Sequence, residues 1–193
     1  MPAPSASNII IPGRGAIFTG TVGQAPPDYH ILDPYNAPTG WDSLGHTSVE
    51  NNVSLSKDGG EATQFDSWWD VAIAIQRSPL NWSLTVGALE LRKANLDLAF
   101  GGKLETESTT GSYVVPSDIK AVDKALFVLA VQGDKRMGLY LPAVSITLGD
   151  APSFDREALF ELPLAGSILS HESRVMQWFH PSLDKAGYVP TGA

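Results

Sequence analysis

The sequence predicts a mainly β fold with one helix, an α+β arrangement. From Trp41 onward, short runs that alternate apolar and polar residues are divided by Gly, Pro, Asn and Asp turn signals. One window, residues 88–100, instead carries good helix formers with few β-branched residues and stops at Gly101-Gly102. The 193-residue chain has no cysteine, which excludes disulfides, cysteine-ligated zinc, iron–sulfur clusters and thiol catalysis. Packing and hydrogen bonding must hold it together.

Residues 1–40 are dense in proline, with Pro26-Pro27 adjacent, and contain one strand-like stretch, Gly15–Val22. Proline offers no ladder donor and drives its predecessor to extended geometry, so this segment reads as an extended N-terminal arm with one strand. Such an arm must lie on the body of its own subunit or on a neighbour. A β domain is expected over residues 41–180 and a loose C-terminal tail over 181–193.

Within the β domain, Val49–Lys57 alternates around Val53 and Leu55, and Thr63–Arg77 resumes an extended run. Between them Asp58-Gly59-Gly60 is a strong turn signal, so a long hairpin is expected with its tip at Asp58, Gly59, Gly60 and Glu61. Ser78-Pro79 breaks the run. Asn81–Val86 then puts Trp82, Leu84 and Val86 on one face and Ser83 and Thr85 on the other.

In the helix over about 88–100, a turn of about 100° per residue groups Leu89, Leu96 and Phe100 on one side. Leu91, Ala94 and Leu98 fall nearly opposite. Two stripes call for two partners: the subunit's own sheet, and either a neighbouring subunit or an enclosing core. After a polar loop at Lys103–Gly111, Ala125–Gln132 reads as a strand buried on both faces. A turn at Gly133–Arg136 leads to strands at Met137–Leu148, Ala158–Leu169 and Arg174–Phe179. Pro142 and Pro163 mark an edge or a bulge in theirs.

Charge narrows the partners. With 13 Lys+Arg against 21 Asp+Glu the formal net charge is −8, and between Gly15 and Gln76 eight acids face one base, Lys57. Affinity for a phosphate backbone comes from Lys and Arg releasing counterions, so tight DNA binding is excluded. The N-terminus lacks a basic signal region, and no apolar run approaches the 20 or so residues of a membrane span.

Catalytic chemistry finds little support. The chain has no G-x-S-x-G elbow, H-E-x-x-H, Walker loop, dinucleotide fingerprint or EF-hand loop. Gly101-Gly102-Lys103 follows a helix instead of preceding one. His30, His46, His171 and His180 lack ligand spacing, and Glu105 and Glu107 sit in a Thr/Ser-rich stretch with no enclosing pocket to separate their pKa values. Two glycosylation-like triplets, at Asn52 and Asn81, lie in expected strands of a chain without an export signal. Adjacent Trp68 and Trp69 in a strand point to opposite faces, which favours packing over a carbohydrate-stacking platform. No enzyme, catalytic residue, cofactor or metal site is expected.

The stretch from Gly40 to Gly60, GWDSLGHTSVENNVSLSKDGG, reached from Pro12–Gly23, PGRGAIFTGTVG, resembles the major tail tube proteins of long-tailed, non-contractile bacteriophages, in the variety found in phages of actinobacteria. The order of segments matches as well, from about Pro12 to His180. That resemblance implies a β-sandwich or barrel-like subunit with a flanking helix, a long hairpin and an extended arm. It implies hexameric rings stacked into a tube around the tape-measure protein, with tail terminator and tail-tip proteins as further partners and double-stranded DNA passing through without tight binding. The expected place is the virion tail, assembled in the host cytoplasm.

Under that resemblance Glu50, Asp66 and Asp70 are the candidate lumen acids. The Asp58–Glu61 turn is the candidate ring-to-ring contact, and Leu89, Leu91, Ala94, Leu96, Leu98 and Phe100 are the helix's packing or interface residues. Two other readings remain: a tube subunit of a contractile injection or secretion machine, and a monomeric β-sandwich binding module for carbohydrate.

Overall fold

In the computed structural model, residues 8–50, 53–101, 103–105, 111–185 and 188 are described. Among the described residues, twelve strands and one α-helix run in the order β1 (Arg14–Gly20), β2 (Asp42–Ser43), β3 (Ser54–Gly59), β4 (Ala62–Phe65), β5 (Ala74–Arg77), β6 (Leu80–Ala88), α1 (Lys93–Phe100), β7 (Lys103–Glu105), β8 (Ser112–Val114), β9 (Val122–Gln132), β10 (Lys135–Leu148), β11 (Leu162–Ile168) and β12 (Gln177–Phe179). The main sheet has the order β2-β1-β9-β10-β11-β6-β3, with β12 also on β10, while β4-β5 and β7-β8 form separate two-stranded pieces. Every pairing is antiparallel.

The spine is the β9–β10 hairpin, closed by Gly133-Asp134. As its apolar run requires, β9 is buried on both faces. Leu126 joins one core with Ile17, Leu139 and Leu141. Ala125, Phe127 and Leu129 join a second with Ala16, Phe18 and Tyr140. The register of β9 against β10 shifts between Leu141 and Val144, so Pro142 stands at a bulge. A residue with no N–H is tolerated there, and the bulge bends the strand.

Beyond that bend β10 pairs with β11, and the sheet curls until Leu84, Val86, Leu162 and Leu164 meet Ile17 and Leu126 in the first core. The result is sandwich-like. Helix α1 closes it with Leu98 and Ala99, and Asn95 beside them donates its amide to the carbonyls of Leu44 (3.0 Å) and Glu90 (2.8 Å).

The proline-rich segment lies on its own body. β1 is an inner strand between β2 and β9, and Tyr29, Leu32 and Trp41 cover the second core. Polar ties fix the crossing: Tyr140 Oη donates to the Gln24 carbonyl at 2.6 Å, and the Arg136 guanidinium donates to that of Leu32.

Three expectations need correction. The helix begins at Lys93, not at residue 88, because β6 continues to Ala88, paired with Leu162. Leu89 and Leu91 therefore precede the helix, and the two opposed stripes collapse into one packing face: Leu98 is buried, Leu96 and Phe100 are half-buried, and Ala94 and Leu91 are exposed. The tail, where described, is docked. His180 accepts from Ser182 N–H to start a 3-10 turn, and Tyr29 Oη donates to Asp184 Oδ1 at 2.9 Å.

The third correction concerns the hairpin. Asp58, Gly59, Gly60 and Glu61 are not its tip. Asp58 and Gly59 pair with Asn81 and Leu80, and Ala62 then pairs with Arg77, so the chain runs straight past this point. Gly59 and Gly60 both have positive φ, and a Cβ on Gly59 would stand 2.1 Å from the Pro79 carbonyl oxygen. The Gly-Gly pair is a joint halfway along the arm, required by close approach of the opposing backbone.

Candidate functional site

The true hairpin tip is the segment between β4 and β5. Ser67 N–H donates to the Asp70 carbonyl at 2.8 Å, while Ser67 Oγ accepts from the N–H groups of Trp69 (3.2 Å) and Asp70 (2.9 Å). Asp66 Oδ1 accepts from Ala72 N–H at 2.7 Å and holds Ala72 at a φ of +64°. Short polar side chains that bond the backbone two or more residues on are the ordinary builders of such turns.

Because Trp68 and Trp69 occupy this turn and not a strand, alternation does not separate them, and they are 100% and 93% exposed. Phe65, Val71, Ile73 and Ile75 are exposed along the same arm, and every residue of β4 and β5 is solvent-accessible. Apolar surface of this extent on a projecting element marks an interaction site. Among the described residues no strand pairs with the outer edge of β3, so the arm grows from an open sheet edge.

The sheet at the root of the arm has a second feature, legible only from its register. Ser56, Ser83, Ser167, Ser145 and Asp123 are consecutive partners across β3, β6, β11, β10 and β9. The next rung on that face is Ser54, Thr85, Ala165 and Thr147. Directly opposed residues of antiparallel strands share a face, so these rungs form one hydroxyl-rich surface. The intervening rung, Leu55, Leu84, Gly166, Ile146 and Val122, faces the first core.

At one end of the hydroxyl face, Glu50, Asp150, Glu157 and Glu161 line an open groove over Thr85 and Ala165. The Glu161 side chain lies across the strand over Gly87, where an added Cβ would meet its Oε1 at 2.0 Å and push the carboxylate aside. The three candidate acids are therefore divided. Glu50 borders the hydroxyl face, whereas Asp66 and Asp70 sit at the arm's tip. Asp66 is separated from β3's start at Ser54 by roughly 40 Å of extended chain at about 3.3 Å per residue.

A separate polar cluster ties the tail to the N-terminal segment. Tyr188 Oη donates to Asp28 Oδ2 at 2.6 Å, and His30, stacked on Tyr188, has Nε2 3.0 Å from Asp184 Oδ2. The hydrogen bond to Asp28, with burial after it, pushes the Tyr188 hydroxyl up to about 12. Burial first, then Asp184, raises Tyr29 further still. Asp33 moves the other way, held below the usual carboxylate range by the N–H of Tyr35 and then the Asn36 amide. Among the described residues, no group of three or more His, Cys, Asp or Glu is placed to hold a metal ion. No described helix is long and apolar enough to cross a membrane.

Comparison with known proteins bears on these surfaces. A family model described as phage tail tube protein matches residues 2–189. The chain is 25% identical over 189 residues to the major tail protein Gp23 of Mycobacterium phage L5, covering 92% of this chain and 93% of that protein. It is 24% identical over 172 residues to the major tail protein Gp23 of Mycobacterium phage D29, covering 85% of each.

Proposed function

The chain belongs to the phage tail tube protein family and is a structural component of the virion tail, and from that premise we propose that its copies close into hexameric rings that stack into the tube. On this reading the tube encloses the tape-measure protein during assembly and later carries the genome out.

The observation that carries the reading is the arm. A soluble monomer has no use for two fully exposed tryptophans at the end of an apolar hairpin. Burying them against a neighbouring copy is favourable at about 25 cal/mol per Å² of apolar surface. The open edge of β3 supports the same conclusion, since an unprotected edge invites pairing with another copy and a closed ring removes it. The arm tip at Ser67–Asp70, and not the Asp58–Glu61 joint, is then the segment that reaches another subunit. The joint sets the arm's direction. Exposed Leu91, ahead of the helix, is a second candidate for lateral contact.

Negative-stain microscopy and size-exclusion chromatography of the concentrated protein test this. Rings or tubes with a central hole are expected. The Trp68→Ser/Trp69→Ser variant should keep its circular dichroism spectrum and melting temperature, because neither side chain is buried, yet fail to form tubes. A wild-type chain that stays monomeric at every concentration and salt overturns the reading.

A further inference from the structure

The C-terminal end of the chain is a strap held to the body by a small set of contacts. Beyond β11, Leu169 N–H donates to the Ala143 carbonyl at 2.9 Å, and a turn at Glu172-Ser173 leads to β12. The three residues of β12 pair with Gly138, Leu139 and Tyr140 of β10, and among the described residues no strand pairs with the far edge of β12. Phe179 then packs on Phe127 and Tyr29, and Asp184 and Tyr188 take their bonds from and to Tyr29 and Asp28. The strap's docking surface is therefore the β10 edge and the Asp28–His30 segment, both far from it in sequence.

The turn that feeds the strap is strained. His171 and Arg174 exchange both backbone bonds at 2.9 Å, and between them Glu172 and Ser173 have φ of +48° and +63°. A two-residue hairpin turn needs positive φ at both positions, and Asn-Gly meets that need with little steric cost; Glu-Ser does not. His171 also lies against the Gly23 backbone, where an added Cβ would stand 2.5 Å from its Nε2. A short strained hinge favours exchange of the element it carries, because opening the hinge relieves the strain.

We propose that in the tube the strap from Arg174 onward crosses to a neighbouring copy and docks there on the β10 edge and the Asp28–His30 segment, as it docks on its own body in the free subunit. The proposal rests on the tube reading above and names one contact within it. Exchange remakes every strap contact in identical form, so the closed and crossed forms differ chiefly at the turn. Once opened, residues 169–176 span roughly 26 Å at about 3.3 Å per residue, which gives the strap its reach. In a free subunit its own β10 edge is always the nearest. Copies held side by side in a ring present a second edge at comparable effective concentration, and relief of the turn then decides.

The absence of native cysteine makes the test direct, because Ile31→Cys and Leu183→Cys supply the only sites for spin labels. Both side chains are exposed, and their neighbours His30 and Asp184 approach to 3.0 Å between Nε2 and Oδ2. Free doubly labelled subunits give one short distance by pulsed electron paramagnetic resonance. In tubes diluted with excess unlabelled chain that distance is expected to vanish, and in tubes mixed from two singly labelled chains it is expected to appear. A short distance that persists in the diluted tubes overturns the exchange. So does its loss without a short distance in the mixed tubes, which makes the strap released and not exchanged. Both outcomes leave the tube reading standing, whereas a wild-type chain that never forms tubes removes the reading beneath it.

The role of the turn is tested separately. Glu172→Asn/Ser173→Gly relaxes the closed form, and should raise the subunit's melting temperature by several degrees while slowing tube formation severalfold in light scattering. Tube formation at the wild-type rate overturns strain as the cause of exchange, whatever the melting temperature does.

Discussion

Tyr188 illustrates how one side chain binds the end of the chain to its beginning. Its hydroxyl, raised to about 12, has a higher pKa folded than the ordinary value of 10.0. The contribution of a raised tyrosine is fully present below about pH 10 and is lost as pH climbs through 12. Absorbance titration at the tyrosinate band should show a late step that Tyr188→Phe removes, and amide exchange at Ser182–Lys185 should quicken in that variant. A core residue sets the opposite scale of effect. Phe127 is fully buried between β1 and β10, and Phe127→Ala should cost about 3–5 kcal/mol in denaturant unfolding. Both residues are plain in the sequence, but only Phe127 announces its role there, through its place in a continuous apolar run. Tyr188 and Asp28 are 160 positions apart, and nothing local relates them.

Elements differ in how they use glycine and asparagine. The Gly59-Gly60 joint reads as a turn in sequence because positive φ is what both a turn and a strand kink demand. What distinguishes them is the partner: Pro79, brought opposite by β6, crowds Gly59 and turns the expected tip into a hinge of the arm. Gly59→Ala should therefore redirect or unpair the arm, seen as loss of tube formation with a melting temperature within a few degrees of wild type. Helix α1 makes a similar point. Asn95 is a polar position in a short helix, yet it is buried and donates to two carbonyls, that of Glu90 in the preceding loop and that of Leu44 in the connection after β2. Asn95→Ala leaves both without their donor and should destabilise the subunit by about 2–3 kcal/mol, at about 1 kcal/mol or more for each buried bond lost. The shortened helix also explains why the two-stripe pattern fails: Leu89 and Leu91 belong to the connection that Asn95 anchors.

For the whole molecule, charge governs how copies meet. Each carries a formal −8, so bringing them together is opposed by repulsion that added salt relieves, with a Debye length near 10 Å at 0.1 M. Tube formation should accordingly rise between about 0.02 M and 0.5 M salt, followed by light scattering; assembly that weakens over that range would contradict it. The resemblance groups Glu50, Asp66 and Asp70 as candidate lumen acids, and the fold separates them, with Glu50 beside the hydroxyl face and the other two on the arm. By itself the sequence determined the β class, the doubly buried β9, a long hairpin and the family, because alternation, proline and glycine act through neighbouring residues; that Pro142 stands at a bulge, while Pro163 lies on an inner strand without one, took the register. Tertiary structure decided where the hairpin turns, where the helix starts, and which side chains share a face. Those depend on register between strands far apart in the chain, and a rung such as Ser56, Ser83, Ser167 and Ser145 exists only once four strands are laid side by side.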